Sequence, residues 1–193
     1  MKSICVYCGS SSGNDKIYIQ AAEALGIALA AKKIRLVYGG AQIGIMGAVA
    51  NACLSNGGRV TGVIPGFLDQ VEITNTEVTE LIQTQNMHER KTIMVEKSDA
   101  FIAMPGGFGT LEELAEVLTW AQLGLIQKPI GILNINGYYD KLLELIQHMH
   151  QSGFVKEANL KLFVSDSSID GLLKKLSTFD AGDQSFTQKL GLT

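Results

Sequence analysis

Short apolar segments that end in glycine-rich turns, each followed by a helical pattern, constrain the fold of this chain most strongly. The clearest are residues 3–7, 35–38 and 100–104, which lead into glycines at 9, 39–40 and within 106–109. Short apolar runs are typical of buried strands, and apolar positions three and four apart are typical of helices. Strands that alternate with helices predict right-handed βαβ units around a parallel sheet. We therefore predict a single-domain α/β fold, with a doubly wound, Rossmann-like parallel sheet flanked by helices.

The alternating pattern extends over residues 1–180, which we predict to form one α/β domain. Residues 71–78 fit either a strand or an extended crossing segment, and residues 160–164 are predicted to be a strand. Residues 181–193 show no clear periodicity and are interpreted as a mobile C-terminal tail. The ligand of such a sheet is expected beyond the carboxyl ends of its strands, where the glycine-rich turns lie.

Charge and composition exclude several classes of function. The chain has 16 Lys and Arg against 19 Asp and Glu, for a net charge of −3, which argues against a protein that coats nucleic acid. No apolar run approaches the roughly 20 residues of a membrane span, and the first residues do not resemble a signal peptide. With three cysteines that cannot all pair, we expect a reduced, cytoplasmic protein with no membrane or nucleic-acid partner.

The turn at residues 105–110 carries the strongest indication of a ligand site. Three glycines in four residues leave the backbone N–H groups uncovered, and the helix that follows points its positive end at the same place. The Thr110 hydroxyl is expected either to cap this helix or to donate to a phosphate oxygen. The alternative is a tight turn without a ligand. The spacing fits neither the dinucleotide fingerprint nor a Walker loop.

Two charged residues lie close to this turn in the predicted fold. Glu113 follows Thr110 by three positions, so its carboxylate is predicted on the same side of the helix, either at the anion site or simply favouring the helix dipole. Glu112 and Glu116 are expected to favour the dipole or to face solvent. Arg90 shares a helix face with two methionines and offers a fork suited to phosphate or carboxylate. Spacing alone slightly favours a surface arginine paired with Glu89 or Glu96.

The motifs together resemble those of the LOG ("lonely guy") family, the cytokinin riboside 5′-monophosphate phosphoribohydrolases, which are often mislabelled lysine decarboxylases. Residues 105–113 match its P-G-G-x-G-T-x-x-E signature, and residues 87–91 match its M-H-x-R-K segment. Further matches lie at residues 8–11, 36–40, 44–47 and 119–124, and the likeness runs from about residue 4 to 154. Ala41 departs from the pattern, because many members have a third glycine there.

The resemblance implies a nucleotide-binding domain, a homodimer and hydrolysis of the N-glycosidic bond of a nucleoside 5′-monophosphate, such as AMP or a cytokinin riboside 5′-monophosphate. The products are the free base and ribose 5-phosphate, and neither metal nor cofactor is required. By the resemblance, Arg90 and Glu113 are the catalytic residues. The implied substrate-binding residues are Glu72, Lys91, Gly106, Gly107, Phe108, Gly109, Thr110, Leu111, Glu112 and Thr119.

A second function class stays open from the sequence. Molybdenum-cofactor carriers have a similar fold and similar glycine-rich turns, so a non-catalytic carrier or nucleotide sensor is the alternative. The pairing of Arg90 with Glu113 favours the enzyme, because a carrier needs no carboxylate at a reacting carbon. A decarboxylase is disfavoured, because that reaction normally requires a cofactor such as pyridoxal phosphate.

Overall fold

Parallel strands form the centre of the computed structural model, which describes residues 1–69 and 74–179. The strands are β1 (Ser3–Tyr7), β2 (Arg35–Tyr38), β3 (Val60–Pro65), β4 (Glu80–Thr84), β5 (Ala100–Ala103), β6 (Ile130–Leu133) and β7 (Phe163–Asp166). The helices are α1 (Lys16–Ala31), α2 (Gly44–Ser55), α3 (Gly66–Asp69), α4 (Met87–Glu96), α5 (Phe108–Gln122), α6 (Asp140–Gln151) and α7 (Ile169–Ser177). The described strands make one sheet in the order β4-β3-β2-β1-β5-β6-β7, and every neighbouring pair is parallel. This architecture confirms the predicted doubly wound fold.

The sheet separates two apolar layers. Successive side chains of a strand point to opposite faces, so Ile4 and Val6 of β1 pack with α1, α2 and α7, whereas Cys5 and Tyr7 pack with α4 and α5. The central strands β1 and β5 are buried along their whole length. Such double coverage explains why these strands are continuous apolar runs rather than alternating ones.

The two middle strands mark the point where the chain changes direction. From β1 the chain moves outward through β2 and β3 to β4, and from β5 it moves outward the other way to β7. Helix α4 connects the far edge to the centre and contacts both β3 and β4. A crevice therefore opens beyond the carboxyl ends of β1 and β5, at the switch point where ligands bind in such sheets.

The start of α4 is fixed by side chains. Asn86 accepts a hydrogen bond from the Glu89 N–H at 2.9 Å, and the Glu89 carboxylate accepts one from the Gln85 N–H at 2.7 Å. The first bond satisfies one of the N–H groups that the first turn of a helix leaves without partners, and the second ties the residue before the N-cap to the same turn. They also occupy Glu89, which sequence spacing had offered as a partner for Arg90.

The sequence located two strands imprecisely. The strand that follows β3 is β4 at Glu80–Thr84. Residues 71–78 fitted either a strand or an extended crossing segment; of these, 74–78 form no strand beyond an isolated bridge from Thr74 to Ala41, and 71–73 lie outside the described residues. Edge strand β4 is only half-buried, so it lacks the apolar run that indicates a strand. The last strand is Phe163–Asp166, whereas Glu157–Lys161 forms a 3₁₀ helix, so the prediction at 160–164 was several residues early. The predicted boundary at residue 180 and the tail lie outside the described residues.

The described helices include none that is both long and apolar enough to cross a membrane.

Helices α1 and α2 pack closely because Gly26 has no side chain. A Cβ at this position would overlap the Val49 carbonyl oxygen and lie 2.8 Å from the Cys53 nitrogen, both in the α2 backbone. We predict that Gly26→Ala lowers the free energy of unfolding by about 1–3 kcal/mol, because the two helices must move apart. Urea denaturation followed by circular dichroism measures this change.

Gly109→Ala is the matched control for Gly26→Ala. A Cβ at Gly109 meets no atom within 4 Å, and the residue lies in the first turn of α5. Its unfolding free energy is expected to stay the same or to rise by up to about 1 kcal/mol from the higher helix propensity of alanine. Equal stability of Gly26→Ala and the wild type would contradict the close approach of α1 and α2.

Candidate active site

A cleft of about 380 Å³ lies at the switch point of the sheet. Its walls come from the turns after β1, β2 and β5, from the end of β3, and from α4 and α5. Its polar side chains are Ser10, Arg90, Thr110 and Glu113. Its apolar side chains include Val6, Cys8, Met46, Ile64 and Met94. A small set of polar groups above an apolar floor is the usual composition of a site for a small organic ligand.

Arg90 is buried in this cleft and held by several contacts. Its Nε donates to the Val63 carbonyl oxygen at 3.0 Å, and its Nη1 donates to Oε1 of Glu113 at 3.0 Å. A Cβ at Gly39 would overlap its Nη2, so the turn after β2 needs glycine to admit the guanidinium. The interpretation of Arg90 as a surface residue paired with Glu89 or Glu96 was therefore wrong. Helical spacing identifies the face that Arg90 occupies but not the strand and helix that cover it.

Glu113 is the buried partner of Arg90. The residue is 7% exposed, and burial raises the pKa of its carboxyl, while the Arg90 guanidinium opposes that rise. Among the described residues, only Arg90 donates a hydrogen bond to Glu113, and it does so at Oε1. Glu113 itself lines the cleft. The predicted juxtaposition of Arg90 and Glu113 is thus observed, whereas their catalytic roles stay a prediction.

The glycine-rich turn presents the N-terminus of α5 to the same cleft. The helix begins at Phe108 with Gly107 as its N-cap, and no side chain caps it. Gly107, Phe108, Gly109 and Thr110 all line the cleft. The first N–H groups of a helix lack intrahelical partners and carry the positive end of its dipole, so this edge of the cleft suits an anion. Thr110 lies against Gly106, where a Cβ would overlap its Oγ1, and does not cap the helix as one reading of the sequence expected.

Lys91 pairs away from the cleft. Its Nζ donates to Oε1 of Glu112 at 2.5 Å and to Oε1 of Glu116 at 3.0 Å. This ion-paired group joins α4 to α5 beside the Arg90–Glu113 pair. Glu112 is exposed, as expected, but both carboxylates also pair with Lys91 on another helix, which the sequence did not predict.

The other predicted substrate-binding residues are dispersed. Leu111 is exposed on α5, and Thr119 is exposed further along this helix, where its hydroxyl donates to the Ala115 carbonyl at 2.8 Å. Gly106 precedes the cleft-lining residues of the turn and lies against Thr110 and Gly9. Glu72 lies outside the described residues. Binding roles for these residues, and for Lys91 and Glu112, stay predictions.

The cleft also includes residues that sequence reasoning had not assigned to the site. Gly9 and Ser10 follow β1, and Gly39 follows β2. Their signal was available, since each lies in a glycine-rich turn at the carboxyl end of a predicted strand. Met46 and Met94 also line the cleft but carried no such signal, because methionines at helical spacing usually pack in a core.

Comparison with known proteins identifies the family. A family model described as "possible lysine decarboxylase" matches residues 46–176, more than half of the chain. The probable cytokinin riboside 5′-monophosphate phosphoribohydrolase LOGL9 of Oryza sativa subsp. japonica is 48% identical over 92% of this chain and 78% of its own length. LOG1 of Arabidopsis thaliana, named as the same enzyme, is 49% identical over 92% of this chain and 84% of its own length. The chain belongs to the LOG family.

The LOG family fold extends to more distant solved structures. The molybdenum-cofactor carrier protein of Chlamydomonas reinhardtii has a TM-score of 0.67 and 21% identity, covering 92% of this chain and 96% of its own. The molybdenum cofactor binding protein of Rippkaea orientalis has a TM-score of 0.69 and 24% identity, covering 92% and 97%. At this identity the likeness shows the shared fold alone.

We predict that the Glu113 carboxyl titrates above the ordinary glutamate value of 4.5, because burial disfavours its charged form more strongly than Arg90 favours it. Protein labelled with ¹³C at the glutamate carboxyl groups is titrated by NMR, and the resonance missing in Glu113→Gln identifies the residue.

Glu80 provides the internal contrast. Hydrogen bonds from Lys97 and Thr61 lower the pKa of its carboxyl, so its midpoint is expected below 4.5. A Glu113 midpoint at or below that of Glu80 would show that Arg90 outweighs burial.

Proposed function

We propose that this protein hydrolyses the N-glycosidic bond of a nucleoside 5′-monophosphate, either a cytokinin riboside 5′-monophosphate or AMP, to the free base and ribose 5-phosphate. The observation that carries the proposal is the buried Arg90–Glu113 pair at 3.0 Å, which faces a cleft beside the N-terminus of α5. Relatives 45–49% identical to this chain are named as phosphoribohydrolases. Together these findings favour an N-glycosidase.

Glu113 supplies the negative charge that the reaction needs. Departure of the base breaks the bond from C1′ to the base nitrogen and leaves positive charge on the ribose, as in glycoside hydrolysis. A carboxylate beside C1′ stabilises this charge. A water molecule then adds its hydroxyl group to C1′, and its remaining proton goes to the nitrogen of the departing base, so that each cleavage consumes one water. Arg90 donates to Oε1 of Glu113, which orients the carboxylate and offsets part of the cost of burying its charge.

The 5′-phosphate is proposed to bind at the turn formed by residues 107–110. Backbone N–H groups at a helix N-terminus bind phosphate without sequence-specific side chains. Binding energy from the phosphate, which does not react, holds the ribose in position against Glu113. This division assigns anchoring to the backbone and the chemistry to side chains.

The carrier alternative gains little support. The similarity to molybdenum-cofactor proteins lies below 25% identity and concerns the fold. A carrier has no use for a buried carboxylate in the cleft that holds its ligand. An N-glycosidase therefore explains more features of the cleft than a carrier does.

We further propose that the protein is a cytoplasmic homodimer that does not bind nucleic acid. Support for the homodimer comes from apolar side chains exposed on and near α4 and α5, namely Met87, Phe108, Leu111, Leu123 and Leu125. Clustered exposed apolar surface marks protein interfaces, and these five side chains lie on or next to two helices that the Lys91 ion pairs join. The net charge of −3 is consistent with the absence of a nucleic-acid partner.

The direct test is to incubate the purified protein with AMP, with N6-isopentenyl-AMP and with the two corresponding nucleosides, and to separate the products by chromatography. We expect free base and ribose 5-phosphate from at least one monophosphate. The nucleosides are expected to react poorly, because the turn at residues 107–110 is then empty. If free base is released faster from N6-isopentenyl-AMP than from AMP, the protein is a cytokinin-activating enzyme. If the two rates are comparable, it is a broader nucleotide hydrolase. No base from any monophosphate would contradict the proposal.

Glu113→Gln tests the role of the carboxylate. The substitution keeps the shape and a hydrogen-bond acceptor for Arg90 but removes the charge, so kcat is expected to fall by about 10²–10³ while nucleotide binding survives. Glu96→Gln is the matched control, since Glu96 is exposed on α4 and lies outside the cleft. Near-normal turnover by Glu113→Gln, measured under the same conditions, would remove Glu113 from the mechanism.

A further inference from the structure

Three consecutive carbonyl groups of the turn after β5 accept hydrogen bonds from other parts of the chain. The Met104 carbonyl accepts from the Tyr139 hydroxyl at 2.6 Å, and the Gly106 carbonyl accepts from the Tyr138 hydroxyl at 2.5 Å. Between them, the Pro105 carbonyl accepts from the Gly9 N–H at 3.2 Å. The carbonyl oxygens of this turn are therefore occupied immediately before the N–H groups that line the cleft.

The direction of these carbonyls decides what the turn offers to a ligand. In a trans peptide the C=O and the N–H of one unit point in opposite directions. The Gly106 carbonyl points at Tyr138, so the N–H of Gly107 points away from Tyr138, and Gly107 lines the cleft. This peptide has glycine on both sides, which makes its rotation easier than elsewhere. A rotated peptide would present a carbonyl oxygen to the anion in place of an N–H.

The two tyrosines are themselves held in place. The ring of Tyr138 packs edge-on against Tyr139 at 4.9 Å and against Tyr18 of α1 at 5.7 Å between ring centroids. The Tyr139 N–H donates to the Asn134 side-chain oxygen at 2.7 Å, and the Asn134 amide donates to Asp140 at 2.7 Å. Ring packing and hydrogen bonds therefore hold both tyrosines, in the segment between β6 and α6, in the positions from which they contact the turn.

We propose that Tyr138 and Tyr139 are positioning residues for phosphate binding, which fix the turn at residues 104–107 so that N–H groups rather than carbonyl oxygens face the phosphate. The inference rests on the proposed function in taking a phosphate at this turn. Tyr138 has the more direct role, because it holds the carbonyl of the peptide between Gly106 and Gly107, which rotates most easily. Tyr139 holds the same turn two peptides earlier, at Met104, from a buried position.

The test compares Tyr138→Phe with Tyr18→Phe by calorimetric binding of ribose 5-phosphate and of adenosine. Tyr138→Phe keeps the ring and removes the hydroxyl that holds Gly106. Its dissociation constant for ribose 5-phosphate is expected to rise about three- to tenfold, the change expected from loss of one hydrogen bond. Adenosine, which has no phosphate, is expected to bind as to the wild type. Tyr18→Phe removes a hydroxyl from the same ring cluster without touching the turn, so both ligands should bind normally.

Tyr139→Phe is the second variant, measured in the same way and with its thermal unfolding. A loss of stability with unchanged preference for the phosphorylated ligand would assign Tyr139 a structural role only, and the same result for Tyr138→Phe would overturn the proposal. So would a wild-type protein that binds neither ribose 5-phosphate nor AMP. Selective loss of ribose 5-phosphate binding in a protein that hydrolyses no nucleotide would support the positioning role and overturn the proposed function instead.

Discussion

The chain leaves β1 and β5 in opposite directions along the sheet, and the site depends on the gap that this reversal opens. Because all described strands are parallel, their carboxyl ends meet at one edge, and the turns that follow them converge there. The same geometry sends α5 away from the gap with its N-terminus facing it. An anion site and a crevice for a small ligand thus come from topology before any catalytic side chain is considered.

The buried ion pair in the crevice joins two separate crossovers. Arg90 lies on α4, which returns from the far edge of the sheet, and Glu113 lies on α5, which leads away from β5. Burying a charge requires a partner and hydrogen bonds, and removing one partner of such a pair typically costs about 3–5 kcal/mol. The Val63 carbonyl and the missing side chain at Gly39 complete the surroundings of Arg90. The contacts that stabilise Arg90 in the fold are therefore the same ones that position it for the proposed reaction. The neighbouring ion pairs of Lys91 add further contacts between α4 and α5.

Backbone groups and side chains have different roles in the proposed site. In the proposed function the turn at residues 104–110 binds phosphate through N–H groups, so binding depends on which way each peptide faces. Side chains far along the chain, including Tyr138 and Tyr139, hold those peptides by their carbonyl oxygens. Arg90 and Glu113 add a buried pair of opposite charges that lines the same cleft. By this proposal the glycine-rich motif binds phosphate only when the segment that contains Tyr138 and Tyr139 holds its peptides in the right orientation.

The sequence by itself determined the alternation of strands and helices and the glycine-rich turns, because these follow from local periodicity and spacing. Arg90 and Glu113 were singled out as a pair only through the resemblance of their motifs to the LOG family, since spacing alone favoured a surface position for Arg90. It did not locate β4, since a half-buried edge strand lacks an apolar run. Only the tertiary structure decided which charges pair. Arg90 reaches Glu113 across 23 positions of sequence, and Lys91 reaches Glu112 across 21. Periodicity gives the face of a helix on which a residue lies, whereas its partner and its burial depend on the elements that the fold packs against that face.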